Sequence, residues 1–463
     1  MSETMRADVV LPLVGSAVHF VGIGGAGMIG LARILLAQGY RVTGSDRGDS
    51  PGLATLRELG ATVHVGHDAT YVGDAALVVI SAAVRDENVE VAAARARGVP
   101  IVKRAALLGA LANARRCIAV AGSHGKSTTS GMIAYILSAL GHDPLFVVGA
   151  EVRDLGTSAR NGAGPLAVVE ADEYDYSFLH LTPDIAVITN IEHDHPDIFP
   201  TVDAYLAAFA RFAGQTRDGG TIIIGSDDPN AVTITATMAV QTVGAGPTAD
   251  WRIIAEADGT VTLTHRGTRI GRTTLTVAGE HNARNAAMAV AACAAVGVDA
   301  DEALRVVAAY RGVGRRFEVV GETDGVTVID DYAHHPTEVR ATLAAARTRY
   351  PGRRIVAVFQ PHTFSRSILY AAEFAAALSD ADVAFVTDIY AAREPDPGTI
   401  DARDIATAVT GGCGIASGDL AATVARIMSA VKPGDVGLTL GAGDITTVGP
   451  QVLRLLQSSG VAR

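Results

Sequence analysis

Residues 120–129, VAGSHGKSTT, contain the strongest chemical signal in the chain. An apolar run leads into Gly122, Ser123, His124, Gly125, Lys126, Ser127 and Thr128, and a helix-like stretch follows. Glycines let backbone N–H groups turn toward a phosphate, and a helix N-terminus adds partial positive charge. The Lys126 ammonium can reach β- and γ-phosphates, and the Ser127 hydroxyl can bind Mg²⁺. We predict a nucleotide-phosphate site rather than a plain tight turn, although the G-x-x-G-K-S spacing is shorter than the usual one.

Two polar clusters follow later apolar runs. Glu170 ends the predicted strand PLAVVE, where a carboxylate can bind Mg²⁺ directly or through water. The carboxylates behind it (Asp172, Glu173 and Asp175) fit a solvated acidic loop equally well. The segment after AVIT holds Asn190, His193, Asp194 and His195, and strand ends are where α/β sheets bind ligands. We interpret this second cluster as a metal or phosphate site.

Further polar groups recur toward the C-terminus. His281, Asn282 and Asn285 enter a predicted helix, where they suit either a purine edge or a helix cap and surface. Three more clusters lie at predicted strand ends or junctions: Arg315 and Arg316; Asp330, Asp331, Tyr332, His334 and His335; and His362 and Arg366. Together these three clusters predict one ligand-binding face in a third domain.

Residues 19–32, HFVGIGGAGMIGLA, contain a G-x-G-x-x-G turn formed by Gly22, Gly24 and Gly27. Asp46 follows Gly27 by 19 residues, the place of a ribose-binding acid in dinucleotide sites. An NAD-dependent oxidoreductase is therefore one hypothesis. A dehydrogenase has no use for the second phosphate loop at residues 122–128, however. A UDP-sugar also has a pyrophosphate that such a turn can bind.

The elements that must position these residues alternate between short apolar runs and amphipathic stretches. This pattern predicts a doubly wound parallel sheet over residues 17–105. A second series of strands and helices begins near residue 116, and residues 250–277 alternate as short antiparallel strands. A third series begins near residue 313. We predict three α/β domains: Rossmann-like (1–108), P-loop ATPase with a small antiparallel extension (109–312), and Rossmann-like (313–463).

Composition excludes several classes of protein. The net charge is -11 and no basic block is present, which argues against a nucleic-acid partner. No apolar stretch reaches about 18 residues without Gly or a charge, so membrane insertion is not expected. Three separated cysteines show no zinc spacing. The first residues, MSETMRADVVLPLVG, have no basic region before a long apolar core, so we expect no signal peptide. We expect a cytoplasmic protein with reduced thiols.

Six motifs occur in a fixed order: AGSHGKSTT, EADE, TNIEHDH, GEHNARNA, GRRFE and DDYAHHPTE. As a set they resemble the Mur ligases of peptidoglycan synthesis, and the similarity spans almost the whole chain. HFVGIGGAGMIGLA, HHPTE and FQPH resemble the branch that joins L-alanine to UDP-N-acetylmuramate. Sibling branches generally have a carbamylated lysine after the DH segment, and PDIFPTVDAYLAAFARFAGQ contains no lysine.

The resemblance implies UDP-substrate, ATPase and amino-acid domains, with ATP as cosubstrate and Mg²⁺ as cofactor. It implies an acyl-phosphate intermediate, formed when the sugar carboxylate attacks the γ-phosphate and consumed when the amine of alanine attacks the carbonyl. A monomer or a homodimer is compatible with it.

The resemblance also implies roles for individual residues. Lys126 contacts the transferring phosphate and Ser127 binds one Mg²⁺, while Glu170 and His195 match positions of the second metal. His281, Asn282 and Asn285 match the adenine side, and Arg316 and Arg366 neutralise phosphate or carboxylate. Tyr332, His334 and His335 match the stretch near the amino-acid site, and His195 and His334 are candidate general bases. The first turn (Gly22, Gly24, Gly25 and Gly27) cradles the UDP diphosphate, and Asp46 faces the uridine ribose.

Three alternatives stay open at this stage. A recycling ligase would add a preformed tripeptide to the same sugar nucleotide. The oxidoreductase and a non-catalytic ATP-driven switch are alternatives of other classes. Sequence does not separate alanine from glycine or serine, because a methyl group contributes only about 1–3 kcal/mol in a pocket.

Overall fold

Three sheets organise the chain. A computed structural model describes residues 9–81, 83–234, 236–256, 259–277, 279–392 and 394–460. The sheets contain five, ten and six strands in chain order, and helices connect most of the successive parallel strands. This three-part α/β architecture confirms the predicted fold class.

The first sheet is parallel throughout, with strand order β3-β2-β1-β4-β5. Its strands are β1 Ala17–Val21, β2 Arg41–Asp46, β3 Thr62–Val65, β4 Leu77–Ile80 and β5 Ile101–Lys103. Its helices are α1 Ala26–Ala37, α2 Pro51–Glu58, α3 Val89–Ala96 and α4 Arg104–Asn113. Every residue of β1 is buried, as expected for a strand covered by helices on both faces. The predicted doubly wound sheet is confirmed, and its order reverses between β1 and β4.

The second sheet has strand order β15-β14-β13-β12-β11-β10-β6-β9-β7-β8. Its first five strands are β6 Arg116–Ala121, β7 Leu145–Val152, β8 Thr157–Arg160, β9 Leu166–Glu170 and β10 Ile185–Ile188. The others are β11 Thr221–Gly225, β12 Ala239–Gly244, β13 Trp251–Ala255, β14 Thr260–His265 and β15 Thr268–Thr274. Its helices are α5 Lys126–Ala139, α6 Val202–Ala213, α7 Glu280–Ala295 and α8 Ala300–Val307. The last three strands pair antiparallel, which confirms the predicted extension.

The third sheet has strand order β16-β17-β21-β18-β19-β20, and only β16 pairs antiparallel. Its strands are β16 Glu318–Thr323, β17 Val326–Asp331, β18 Ile355–Phe359, β19 Val383–Thr387, β20 Cys413–Gly418 and β21 Val436–Leu440. Its helices are α9 Pro336–Arg349, α10 Phe364–Leu378, α11 Ala402–Ala406, α12 Leu420–Ala430 and α13 Val448–Gly460. β16 and β20 were not predicted from the sequence. Both are edge strands with few buried apolar positions, so they lack the signal of a buried strand.

The chain divides into two units. The first contains the described residues up to Glu192, Val202–Thr276 and Asn282–Gly312, and therefore holds the first two sheets. The second contains His193–Thr201, the described part of Val277–His281, and the described residues from Val313 onward. The predicted boundary at residue 108 falls inside α4, and both domain boundaries stay predictions.

Within the described ranges, no helix combines the length and apolar character that crossing a bilayer requires.

Candidate active site

The predicted phosphate loop connects β6 to α5 in the first unit. Gly122 has φ +137° and Gly125 has φ +84°, in the region that favours glycine. A Cβ at Gly122 would collide with the Thr189 hydroxyl, and one at Gly125 would lie 2.6 Å from Asn285 Oδ1. Both glycines are therefore required by conformation and by space.

The Lys126 ammonium lies within this loop. Its Nζ donates to the carbonyl oxygens of Gly122 at 2.6 Å and Ser123 at 3.2 Å, and pairs with Glu173 Oε2 at 2.9 Å. Burial lowers the pKa of Lys126, but three neighbouring carboxylates, Glu173 first among them, outweigh that effect and leave the pKa raised. Lys126 is thus a fixed positive charge at the loop.

The strands on either side of β6 bring polar groups to the same edge of the sheet. On one side, Glu170 at the end of β9 is level with Val120 of β6. On the other side, Thr189 and Asn190 follow β10. The Asn190 side chain accepts from the His124 amide at 2.9 Å and donates to the His124 carbonyl at 3.0 Å. The strand order thus brings Glu170 and Asn190, one residue from each predicted cluster, to the edge of the sheet that holds the loop.

The oxygen atoms at this edge suit a hard cation. Ser127 lies in the first turn of α5, which follows β6, and Glu170 ends β9, the neighbour of β6 in the sheet. Glu170 Oε2 accepts from the Gly149 amide at 2.7 Å, and its Oε1 makes no hydrogen bond within the described ranges. Hydroxyl and carboxylate oxygens are the ligands that Mg²⁺ prefers, so these two residues fit that ion.

A buried network that the sequence analysis missed holds the loop in shape. Tyr205 on α6 is fully buried, and its hydroxyl lies 3.0 Å from Ser123 Oγ and 3.4 Å from Glu173 Oε1. Ser123 Oγ also donates to the Glu192 carbonyl at 2.7 Å, and the Glu192 carboxylate lies 2.8 Å from His124 Nε2. The sequence signal for Tyr205 was a tyrosine on the apolar face of a predicted helix. Such a residue is equally typical of an ordinary core position, so its contact with the loop could not be predicted.

The predicted adenine-side residues separate into two groups. Asn285 on α7 is buried against Gly125, and its Nδ2 donates to Asn282 Oδ1 at 3.4 Å. His281 belongs to the second unit, is exposed, and has its ring against Gly279. The two asparagines are therefore beside the phosphate loop, and the adenine contact stays a prediction.

The first turn, between β1 and α1, is held by the end of β2. The Ser45 carbonyl accepts from the Gly22 amide at 2.9 Å and from the Ile23 amide at 3.0 Å, and Asp46 Oδ2 accepts from the Gly24 amide at 2.8 Å. Asp46 thus binds the turn itself, and its contact with a ribose stays a prediction. Gly25 caps α1, and Gly27 lies in its first turn.

Beneath this turn lies a buried polar cluster that the sequence analysis also missed. The Glu90 carboxylate contacts His19 Nε2 at 2.6 Å, His67 Nδ1 at 2.7 Å and Ser45 Oγ at 2.8 Å. Burial opposes ionisation of Glu90, but these hydrogen bonds hold its pKa below the usual value. The cluster ties α3 to β1 and β2 and so fixes the strand end that shapes the turn.

In the second unit, Arg315 and Arg316 lie over one aromatic ring. Their guanidinium carbons are 4.9 and 5.4 Å from the centre of the Tyr332 ring. Arg315 Nε donates to Asp330 at 3.0 Å, and Arg316 Nη1 donates to Glu338 at 3.0 Å. The structure therefore brings together two of the three predicted C-terminal clusters.

The third cluster surrounds an ion pair between Arg366 on α10 and Asp194. Nε and Nη2 of Arg366 donate to Asp194 Oδ1 at 3.0 and 2.7 Å, and Arg366 Nη1 lies 3.2 Å from His362 Nδ1. The His195 amide also donates to Asp194 at 2.7 Å. The His335 ring meets Tyr370 edge-on, with centroids 4.8 Å apart. Asp194, absent from the predicted catalytic set, is the centre of this group.

Burial displaces the pKa values of three groups in this part of the second unit. Burial lowers the pKa of His334 to about 3 and that of His362 to about 4. Burial raises the pKa of Asp331 to about 6, although Arg316 and two backbone amides oppose the change. His334 Nδ1 lies 2.9 Å from the Tyr332 carbonyl and therefore carries the proton of a neutral ring. His334 is thus a weak proton acceptor.

The chain matches three family models in succession. Residues 17–116 match "Mur ligase family, catalytic domain", residues 120–293 match "Mur ligase middle domain", and residues 315–443 match "Mur ligase, glutamate ligase domain".

Curated relatives and solved structures agree with these matches. The UDP-N-acetylmuramate–L-alanine ligase of Thermobifida fusca is 45% identical, over 95% of this chain and 96% of the relative. The enzyme of the same name from Roseiflexus sp. is 44% identical, over 95% of this chain and 99% of the relative. Among solved structures, the UDP-N-acetylmuramate-alanine ligase of Thermotoga maritima superposes with a TM-score of 0.81 at 29% identity, covering 96% of this chain and 99% of its own. A murein peptide ligase from Psychrobacter arcticus gives a TM-score of 0.73 at 25% identity, with the same coverages.

Proposed function

The chain belongs to the Mur ligase family, and from that membership we propose that it joins L-alanine to UDP-N-acetylmuramate with hydrolysis of ATP to ADP and phosphate. The observation that carries this proposal is full-length similarity to relatives named for that reaction, in a chain that holds Lys126 within a glycine-shaped loop. ATP and a UDP-sugar are nucleotides of the cytoplasm, so we place the enzyme there.

The first half of the reaction forms the acyl phosphate. A carboxylate oxygen of UDP-N-acetylmuramate attacks the γ-phosphorus, the bond to the β-phosphate oxygen breaks, and ADP leaves. Lys126 and the loop amides neutralise the charge that accumulates on the transferring phosphoryl group. Ser127 and Glu170 would hold Mg²⁺, with His195 proposed at a second metal position. The ion would supply positive charge to the phosphate oxygens.

The second half transfers the acyl group. The neutral amine of alanine attacks the carbonyl carbon and a tetrahedral intermediate forms. The amine nitrogen then loses a proton to water, and inorganic phosphate leaves as the amide is made. In this scheme Arg316 and Arg366 neutralise carboxylate or phosphate, and Tyr332, His334 and His335 line the amino-acid side. Since the pKa of His334 is about 3, we assign it hydrogen bonding to the amine rather than removal of its proton.

We propose domain roles that follow the three sheets. Residues 1–108 bind the UDP-sugar through Gly22, Gly24, Gly25, Gly27 and Asp46. Residues 109–312 bind ATP, with His281, Asn282 and Asn285 on the adenine side. Residues 313–463 bind the amino acid.

A tripeptide-recycling ligase is the second candidate, because the murein peptide ligase from Psychrobacter arcticus also covers almost the whole chain. Its TM-score and identity are lower than those of the Thermotoga maritima enzyme. Competition between L-alanine and L-alanyl-γ-D-glutamyl-meso-diaminopimelate separates the two activities. We expect L-alanine to be the better substrate by kcat/KM.

The direct test is release of inorganic phosphate by the purified protein with ATP, Mg²⁺, UDP-N-acetylmuramate and L-alanine. Phosphate release must stop when either UDP-N-acetylmuramate or L-alanine is omitted, and mass spectrometry must find UDP-N-acetylmuramoyl-L-alanine. Phosphate release that ignores both omissions contradicts the proposal. An NADH fluorescence titration serves as the control for the oxidoreductase alternative, and we expect no saturable binding.

A further inference from the structure

The Tyr205 hydroxyl lies between the phosphate loop and the carboxylate that pairs with Lys126. Its oxygen is 3.0 Å from Ser123 Oγ and 3.4 Å from Glu173 Oε1. Tyr205 is fully buried on α6, and its ring packs edge-on against Phe209 with ring centroids 5.0 Å apart. The ring is therefore held in place, and the hydroxyl hydrogen is the part of the side chain that can change direction.

Ser123 determines the direction in which the Tyr205 hydroxyl donates in this structure. A serine hydroxyl has one hydrogen and can accept two hydrogen bonds. Ser123 Oγ donates its hydrogen to the Glu192 carbonyl at 2.7 Å and accepts from the Glu192 amide at 2.9 Å. The hydrogen bond between Ser123 and Tyr205 must then be donated by the tyrosine. The single hydroxyl hydrogen of Tyr205 is thus directed at Ser123, and Glu173 is a second acceptor within its reach.

The Lys126 ammonium has as many acceptors in the protein as it has N–H groups. An ammonium has three N–H groups. Those of Lys126 face the carbonyl oxygens of Gly122 and Ser123 and the carboxylate of Glu173, whose two oxygens are 3.0 and 2.9 Å from Nζ. Lys126 can therefore contact a phosphate oxygen only when it gives up one of these three acceptors. The two carbonyls belong to the loop itself, whereas Glu173 is an anion from another segment, so Glu173 is the acceptor that a phosphate replaces.

We propose that Tyr205 is a positioning residue that releases Lys126 from Glu173 when ATP binds, a role that rests on the proposed function. As the ammonium turns to the γ-phosphate, the Tyr205 hydroxyl turns from Ser123 to Glu173 and donates to its carboxylate. The Glu173 side chain is only 1% exposed, and a charge-assisted hydrogen bond stabilises a buried carboxylate from which a cation has moved away. The hydrogen stays on Tyr205 throughout, and Ser123 keeps its two hydrogen bonds to Glu192.

The test is Tyr205→Phe, which removes one oxygen and keeps the buried ring. A hydrogen bond to a charged acceptor corresponds to about a 10-fold change in a rate or binding constant, so we expect kcat/KM for ATP to fall by about that factor. The KM values for UDP-N-acetylmuramate and L-alanine should stay unchanged. The matched control is Tyr40→Phe, at the buried residue before β2 whose hydroxyl donates to the Pro12 carbonyl at 3.0 Å. This control should lose a similar amount of thermal stability and keep wild-type kinetics.

Two further backgrounds separate the proposed role from structural support of the loop. Glu173→Gln removes the charge to which the hydroxyl would donate, so adding Tyr205→Phe should leave kcat/KM for ATP unchanged in that background. Ser123→Ala leaves the Glu173 carboxylate in place, so adding Tyr205→Phe should still lower kcat/KM for ATP about 10-fold. The opposite pattern, in which the effect disappears with Ser123→Ala and persists with Glu173→Gln, overturns the proposal.

Calorimetric titration gives a second measurement that needs no turnover. Tyr205→Phe should bind the β,γ-imido analogue of ATP about 10-fold more weakly than the wild type, with a smaller loss for ADP, which has no γ-phosphate. Wild-type affinity for the analogue, or an equal loss for both nucleotides, overturns the proposal. If the wild type binds the analogue but releases no phosphate with UDP-N-acetylmuramate and L-alanine, the proposed function fails instead, and the binding comparison still tests Tyr205.

Discussion

Arg366 directs two of its nitrogens at a single oxygen of Asp194, and both side chains are about 95% buried. The two residues are 172 positions apart in the chain. Burial works against ionisation of Asp194, but the Arg366 guanidinium outweighs that effect and keeps the pKa of Asp194 far below the usual value. This pair joins the short segment after β10 to α10 within the second unit. It also sets the direction in which the guanidinium points.

We expect Asp194→Asn to lower the free energy of unfolding by about 3–5 kcal/mol, because it leaves the Arg366 charge buried without its partner. Urea denaturation at pH 7 measures this change. The matched control is Asp301→Asn, which removes an exposed pair with Arg305 at 2.9 Å and should cost less than about 1 kcal/mol. Equal losses in both variants contradict the assignment.

The pH dependence of the same pair has a defined sign. The folded-state pKa of Asp194 is lowered from the ordinary carboxyl value of 3.8. The ionised carboxylate therefore stabilises the folded chain fully above pH 3.8, and this stabilisation is lost as the pH falls from there through the folded-state pKa. Between pH 5 and pH 8 the difference in stability between wild type and Asp194→Asn should therefore stay constant. A difference that disappears at pH 5 contradicts this account.

We expect Lys126→Met to reduce kcat by at least about 100-fold, because it removes a charge aimed at the transferring phosphate. The measurement is steady-state phosphate release at saturating ATP. This variant also removes the cation that pairs with Glu173, whose side chain is only 1% exposed. The double variant Lys126→Met/Glu173→Gln removes the carboxylate charge as well and should recover thermal stability without recovering activity. Recovery of activity in the double variant would show that Lys126 acts through folding.

Gly125 of the phosphate loop can be compared with Gly141, which follows α5, because both have a positive φ of similar size. Gly125 and Gly141 have φ of +84° and +80°, but a Cβ at Gly125 meets Asn285 and one at Gly141 meets nothing within 4 Å. We expect Gly141→Ala to cost about 1–2 kcal/mol of stability with normal ATP binding. Gly125→Ala should cost more and should raise the KM for ATP at least about 10-fold. Similar KM values in the two variants contradict a role for the Gly125–Asn285 contact.

As the pH falls, the second unit should lose stability before the carboxylates of the unfolded chain begin to take up protons. The folded-state pKa values of His334 and His362, about 3 and about 4, lie below the ordinary 6.5. The unfolded chain therefore takes up protons below pH 6.5 while these rings in the folded chain do not, and stability falls from pH 6.5 toward pH 4. Asp331, with a raised pKa of about 6, has the opposite sign between pH 3.8 and pH 6 and offsets part of this loss.

The variant His362→Gln should flatten the pH dependence of stability between pH 6.5 and pH 4. Denaturation at a series of pH values, in buffer with a chelator and without Mg²⁺, measures this slope. His142→Gln, a change on the surface turn after α5, is the control and should leave the slope of the wild type unchanged. A His362→Gln variant with an unchanged slope would mean that the ring is protonated in the folded state.

The elements with continuous apolar runs were predictable from sequence, and so were the residues at their ends. β6, β9 and β10 are such runs. The ends of these runs identified Lys126, Glu170 and Asn190 as candidate site residues. The edge strands β16 and β20 were not predictable, because few of their side chains are buried on either face and no apolar period marks them.

The sequence by itself determined the local chemistry of this protein, because a phosphate loop is built from consecutive residues whose backbone conformation depends on glycine and on the helix that follows. Which side chains complete each site was decided only by the tertiary structure. The pairing of Lys126 with Glu173, of Arg366 with Asp194, and the approach of Tyr205 to Ser123 each depend on strand order and on burial. Removal from water makes a charge need a partner, and that partner can come from anywhere in the chain that the fold brings near. Spacing along the sequence contains no record of that proximity.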